Sequence, residues 1–230
     1  MILMDKETLA ELIKQQINHL VEIRSYSHIW LELHNAFQAD AKYNAVYRVS
    51  PYFWHLLLKN LQDRFLLEAA KLFDESGESL SIQKTINICE QNQKLFPTEH
   101  KRIVYCHSTE KDIENTVSVN IKNVIKEAKE KYASVSEPRE KLFILRDKDL
   151  AHFDRKHSLD VSKLYGETAL NRDKFDEMLC VAEKILNTFL SALTDTSIST
   201  RHCDVEDYER LLKVARKGIE TEYPHLITGD

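Results

Sequence analysis

Glycine and proline are the residues that interrupt helices and make tight turns, and this 230-residue chain has only 4 of each. So few breakers leave long, uninterrupted elements, and a chain of this length can bury a full core. Apolar residues recur through it at three- and four-residue spacing, the period of one helix face. The expectation is an all-α fold, a helical bundle opened by a long N-terminal helix. One domain is expected over residues 1–200, followed by an added C-terminal helix and tail over 201–230.

From Lys6 to Phe37, Leu9, Leu12, Ile13, Ile17, Leu20 and Val21 are followed by Trp30 and Leu33. This pattern predicts one long helix, or two with a break near Ser25–Ser27. Ser50 then fits an N-cap and Pro51 the first helical position. The helix they open is apolar nearly all round, from Phe53 to Phe73, which predicts a place at the centre of the bundle. It is expected to stop at Asp74–Gly77. A shorter helix is expected over Ser79–Gln91, a loop over Gln93–Ser108 and a helix over Thr109–Tyr132. Lys122, Lys126, Lys129 and Lys131 on that last helix offer a path for a polyanion, but Glu127 and Glu130 among them favour a salt-bridged exposed face. Ser136–Glu137–Pro138 opens the next helix. Asn171 is a candidate cap for a strongly amphipathic one running from Phe175 to Leu193. A charged helix is expected from Asp204 to Ile219, packed on the bundle or against a partner.

Composition narrows the function. The balance of 32 basic and 37 acidic residues gives a formal charge of −5, which disfavours a globally basic nucleic-acid binder and leaves room for a local basic groove. Cys89, Cys106, Cys180 and Cys203 lie far apart, and charges interrupt every apolar run. The expectation is a reduced, cytoplasmic protein with no membrane span. His100, Cys106 and His107, with Cys89 upstream, match no zinc spacing. A metal-carrying bundle needs Glu-x-x-His pairs on two helices, and the chain does not supply two. No metal or other cofactor is expected.

One stretch carries chemistry. Leu142 to Phe153 reads LFILRDKDLAHF: it begins apolar, turns charged at Arg146, Asp147, Lys148 and Asp149, and closes on His152. Arginine is permanently cationic, and histidine exchanges a proton near neutral pH, a pair able to cleave a phosphodiester without a metal. On residue types alone, a solvated helix face explains the run better than a nuclease half-site. On an ideal helix, moreover, residues six apart stand about 120° from one another. Arginine's reach, a kink or a second copy of the chain must close that gap.

The arrangement resembles the HEPN superfamily (higher eukaryotes and prokaryotes nucleotide-binding), whose signature is arginine, four to six residues, then histidine, in a late helix of an all-α domain. Arg146 and His152 form R-x5-H, with polar Asp147 directly after the arginine. The run FWHLLLKNLQDRFLLEAAKLFD, followed by SLSIQKTI and LRDKDLAH, is similar to the AbiU branch, named from phage abortive infection. The resemblance covers residues 52–190. It implies a homodimer and metal-independent RNA cleavage between protomers, with Arg146 and His152 as the catalytic pair and Asp147 in support. In this role His152 moves protons, Arg146 meets the charge growing on the phosphorane, and Asp147 or Asp149 orients either one. Lys148, Asp149 and Arg155 beside the motif are candidate RNA contacts. An antitoxin or regulatory partner is also expected. Some toxin members carry a modifiable tyrosine two residues past the histidine; here that position is Asp154. The alternative function is a non-catalytic bundle of the same fold that binds RNA, a nucleotide or a partner protein.

Overall fold

The computed structural model describes residues 4–39, 41–75, 79–106, 111–147, 170–200 and 206–224. These residues form an all-α bundle with one β-hairpin. The helices are α1 (Lys6–Ala39), α2 (Ala41–Val49), α3 (Pro51–Phe73), α4 (Ile82–Gln91), α5 (Ile121–Ser134), α6 (Ser136–Leu145), α7 (Arg172–Thr194) and α8 (Glu206–Glu222). Strands β1 (Glu99–Cys106) and β2 (Lys111–Ser118) pair antiparallel, from Glu99 opposite Ser118 to Cys106 opposite Lys111.

Helix α1 is a single unbroken helix, although Ser25 and Ser27 sit within it. The Ser25 hydroxyl donates back to the Val21 carbonyl at 2.8 Å, a local bond that a helix tolerates. Along its first two-thirds Leu9, Ile13, Ile17, Leu20 and Ile23 have no exposure, and they pack with α3 and α7. Helix α7 answers with Met178, Ala182, Ile185, Leu186, Phe189, Leu190 and Leu193 on one stripe. Asn171 caps α7 by accepting the Lys174 amide at 2.9 Å, a contact whose loss costs about 1 kcal/mol. The far end of α7 closes on Asp195, which takes the left-handed conformation (φ 61°) usual for a helix C-cap.

Buried polar groups are tied in. Gln16, nearly fully buried, donates to the Leu80 carbonyl at 3.1 Å and accepts the Thr85 hydroxyl at 2.6 Å, fixing α4 to α1. The carboxylate of Glu68 on α3 meets His19 at 2.9 Å and both Arg64 and Lys71 at 3.0 Å.

A second, smaller apolar cluster forms where the end of α1 meets α2, the start of α3 and α8. It contains Leu33, Phe37, Val46, Trp54, Leu212 and Ile219. Helix α8 therefore packs on the bundle, and Tyr208 beside Glu32 has its hydroxyl pKa pushed up to about 12 by burial and the nearby carboxylate.

Two expectations need correction. The loop and helix expected over residues 93–132 are instead a hairpin followed by a shorter helix. Ile113, Val117 and Ile121 are four apart, a spacing that satisfies a helix face and, being even, a strand face as well. The true start of α5 is marked by Asn120, whose side chain accepts the Asn123 amide at 3.2 Å. The second correction concerns α3. Only its C-terminal half is central, with Phe65, Ala69, Ala70, Leu72 and Phe73 buried; at its N-terminal end Tyr52 is 75% exposed and Phe53 57%. Three of the four lysines of α5 do form a salt-bridged face: Lys129 reaches Glu90 at 2.6 Å, Lys126 reaches Glu130 at 3.9 Å and Lys131 reaches Glu127 at 3.9 Å.

Candidate functional site at the end of helix α6

Helix α6 is anchored by Leu142 and Leu145, both buried, the first of them with no exposure at all. That burial fixes the rotation of the helix and so the direction in which its end points. Arg146 follows at the C-cap, where its amide donates to the carbonyls of Leu142 and Phe143. From here the backbone leaves α-helical winding for a wider π-type turn at Arg146 and Asp147, a feature that recurs at functional positions.

The Arg146 side chain is held on three sides. Its Nε donates to the Asp147 carboxylate at 2.7 Å, its Nη1 reaches Asp74 at 3.4 Å, and its Cζ lies 4.9 Å from the centre of the Phe143 ring. The Asp147 hydrogen bond raises the guanidinium pKa further; burial works against it, and the charges of Asp147 and Asp74 add to the rise. Arg146 is thus a fixed cation, with 28% of its side chain open to solvent.

A second arginine stands two turns earlier. Arg139 and Arg146 are seven residues apart, within about 20° of the same face. Arg139 donates to Glu75 at 2.6 Å, and its Cζ sits 3.8 Å above the Tyr132 ring. The Tyr132 hydroxyl bonds Glu75 at 3.0 Å and the Phe73 carbonyl at 3.2 Å, and burial pushes its pKa up. The Nε of Arg139 is buried without a hydrogen-bond partner among the described residues. Both arginines line a shallow cleft of about 350 Å³ between α6 and the end of α3, with Asp74, Glu75 and Glu140 on its walls.

Of the residues expected at the site, Arg146 and Asp147 are brought together here. Lys148, Asp149, His152 and Arg155 lie outside the described residues. Sequence reasoning missed Asp74, Glu75 and Arg139. The seven-residue interval from Arg139 to Arg146 was the available signal for one of them; nothing local marked the two acids as partners of a helix seventy residues away.

Metal-capable side chains do not gather in the described residues: no group of three or more His, Cys, Asp or Glu forms there. Cys89 has no exposure, sits in the main core, and has its thiol pKa pushed up to about 12 by burial. No helix among the described residues is long and apolar enough to cross a membrane.

These features define an all-α bundle that presents a guanidinium, braced by acids, at the end of a late helix. The HEPN_AbiU2 family model (AbiU2) matches residues 6–213, and the chain belongs to this family of the HEPN superfamily. No curated protein and no solved structure matches it. HEPN proteins are commonly ribonucleases, and membership suggests an RNase-like function related to abortive infection.

Proposed function

We propose that this chain is a metal-independent endoribonuclease, a toxin or phage-defence effector, whose site is completed when two copies pair. The observation that carries this reading is the Arg146 guanidinium, fixed at the end of α6 between Asp74 and Asp147 and open to a cleft. Arg146 meets the negative charge that develops on the phosphorane as the RNA 2′-hydroxyl attacks. His152 takes the proton from that hydroxyl and returns one to the leaving 5′-oxygen, as an imidazole exchanges protons near neutral pH. Asp147 holds the guanidinium plane. Lys148, Asp149 and Arg155 contact the RNA. In a two-fold dimer each copy presents the same patch, so two such elements form one composite site. An antitoxin or other regulatory partner restrains the activity in the cytoplasm.

The test is cleavage of RNA by the purified chain in the presence of a chelator, with its size measured in parallel. Arg146→Ala and His152→Ala should each lower cleavage by about 10²-fold or more while leaving the size unchanged. Failure of the intact chain to cut any RNA, with both variants behaving like it, would end the nuclease reading.

One observation favours the alternative, a non-catalytic bundle that binds RNA, nucleotide or a partner. Arg146 is already paired with two carboxylates, and Glu75 and Glu140 share its cleft, so a phosphate must displace acids to reach it. Asp74→Asn separates the two readings. It frees one side of Arg146 and should speed cleavage by an enzyme, whereas a purely structural ion pair predicts only lost stability.

A further inference from the structure

We infer that the cleft where α1, α2 and α3 converge binds a nucleobase carrying a phosphate, at a site separate from Arg146. It encloses about 580 Å³, a volume suited to a small ligand. Lys59 in this cleft and Asp74 beside Arg146 are fifteen residues apart on α3 and its cap, about 22 Å at 1.5 Å per residue. The two sites therefore sit towards opposite ends of one helix.

The cleft differs in chemistry from two of the others. Arg146 shares its cleft with Asp74, Glu75 and Glu140, and the groove at the start of α1 carries Glu7 and Glu11. Here, among the described residues, none of the ten that line the cleft is acidic, although the chain has a net charge of −5. Lys59, His34 and His55 supply basic groups instead. Lys59 pairs with Asp63 one turn on, at 2.6 Å, and a half-exposed i,i+4 pair of this kind is weak, so a phosphate competes with the existing partners of Lys59 for its ammonium.

The walls suit a base. Trp30 and His34 stack on one another with ring centres 5.1 Å apart and planes 13° from parallel, so one face of each ring is covered and a base would extend the stack on an outer face. Gln38 fixes the imidazole from 2.9 Å. Asn44 donates to the Phe37 carbonyl at 3.0 Å, so it and Gln38 keep their amide oxygens as acceptors for a base edge, and Gln62 adds a third side-chain amide to the lining. Apolar ligands need no such amides, and a bare phosphate needs no stacked wall; a nucleotide uses both.

The chain has two tryptophans, so Trp54→Phe leaves Trp30 as the reporter. That protein is titrated with adenosine monophosphate, uridine monophosphate, inorganic phosphate and a short 2′-O-methyl single-stranded RNA that cannot be cut by its own 2′-hydroxyl. The expected result is saturable quenching by the nucleotides or the RNA, weakened about tenfold by Lys59→Ala with its loss of one charge-assisted contact. Tighter binding of the RNA than of either mononucleotide identifies a strand as the source; equal binding identifies a free nucleotide. Calorimetry on the unaltered chain with the same probes covers the case in which Trp54→Phe does not fold. The proposal is overturned if no probe binds by either method, if phosphate alone binds as well as the nucleotides, or if Lys59→Ala binds unchanged. Read by Trp30 quenching, which reports on this cleft and not on the one beside Arg146, the two mononucleotides should bind Arg146→Ala as they bind the parent, so failure here and failure of the nuclease reading are separate results.

Discussion

Both ends of α3 are rich in large apolar residues, yet the fold treats them differently. The C-terminal end carries Phe65, Leu66, Leu72 and Phe73 into the main core, between α1, α6 and α7. At the N-terminal end Tyr52, Phe53 and Leu56 are exposed, and Trp54 dips into the smaller cluster with Phe37 and Val46, with Leu57, Leu58 and Leu61 partly buried against it. Apolar content therefore did not decide burial along this helix. What decided it was the presence of facing elements: α1, α4, α6 and, through Phe175, α7 surround one end, while the last turns of α1, short α2 and the edge of α8 attend the other. Each end also borders a cleft. The rigid end holds Asp74 against Arg146, and the open end supplies Lys59 and His55 to the aromatic cleft.

The sharpest way to break this contrast is to truncate each end. Phe73→Ala removes a ring with no exposure and should cost about 3–5 kcal/mol, read as a lower denaturant midpoint. Should it cost under about 1 kcal/mol, the main core is not centred on this half of α3. Arg139→Ala is expected to rank next. It strips the Tyr132 ring of its cation and leaves Glu75 without its 2.6 Å partner, a loss of about 1–3 kcal/mol by the same measurement.

Glu68 gives the third test, by acid. Burial alone would raise its pKa, but hydrogen bonds from Lys71 and His19 and the charges of Lys71 and Arg64 hold it below the ordinary glutamate value. A carboxylate with a lowered folded pKa contributes stability that is full above its unfolded value, about 4.3, and is lost as pH falls through the folded one. The parent chain should therefore destabilise in that acid range more steeply than Glu68→Gln, whose midpoint should be flatter below about pH 4. Equal slopes would remove Glu68 from the account. The smallest effect belongs to the open end: Phe53→Ser should shift stability by no more than about 0.5 kcal/mol. A much larger loss would mean that another surface covers Phe53.

Much of this architecture was legible because the signals were local. Asn171 announced the start of α7, Pro51 that of α3, and the stripe from Phe175 to Leu193 packs as its period requires. The hairpin escaped because an interval of four fits both periods, and Asn120, which marks the real boundary, is outweighed when Ile113, Val117 and Ile121 are read as one stripe. Exposure of Tyr52 and Phe53 was hidden for a different reason: a sequence shows what could be buried, not whether a neighbour arrives to bury it. Arg146 was visible as the first residue of the R-x5-H pattern, with Asp147 directly after it. The acids that complete their setting come from the end of a distant helix, and only tertiary packing joins them.

Helix α1, at 34 residues, is about 50 Å long and runs through both apolar clusters. Its first two-thirds is clamped by α3 and α7, whereas its last turns lean on much lighter company. Backbone amides along this single rod should accordingly exchange with deuterium on a gradient, slowest near Ile13 and Ile17 and fastest towards Phe37. The small cluster can then loosen and re-form while the large one stays shut, so the aromatic cleft can admit or release a guest without the molecule as a whole coming apart.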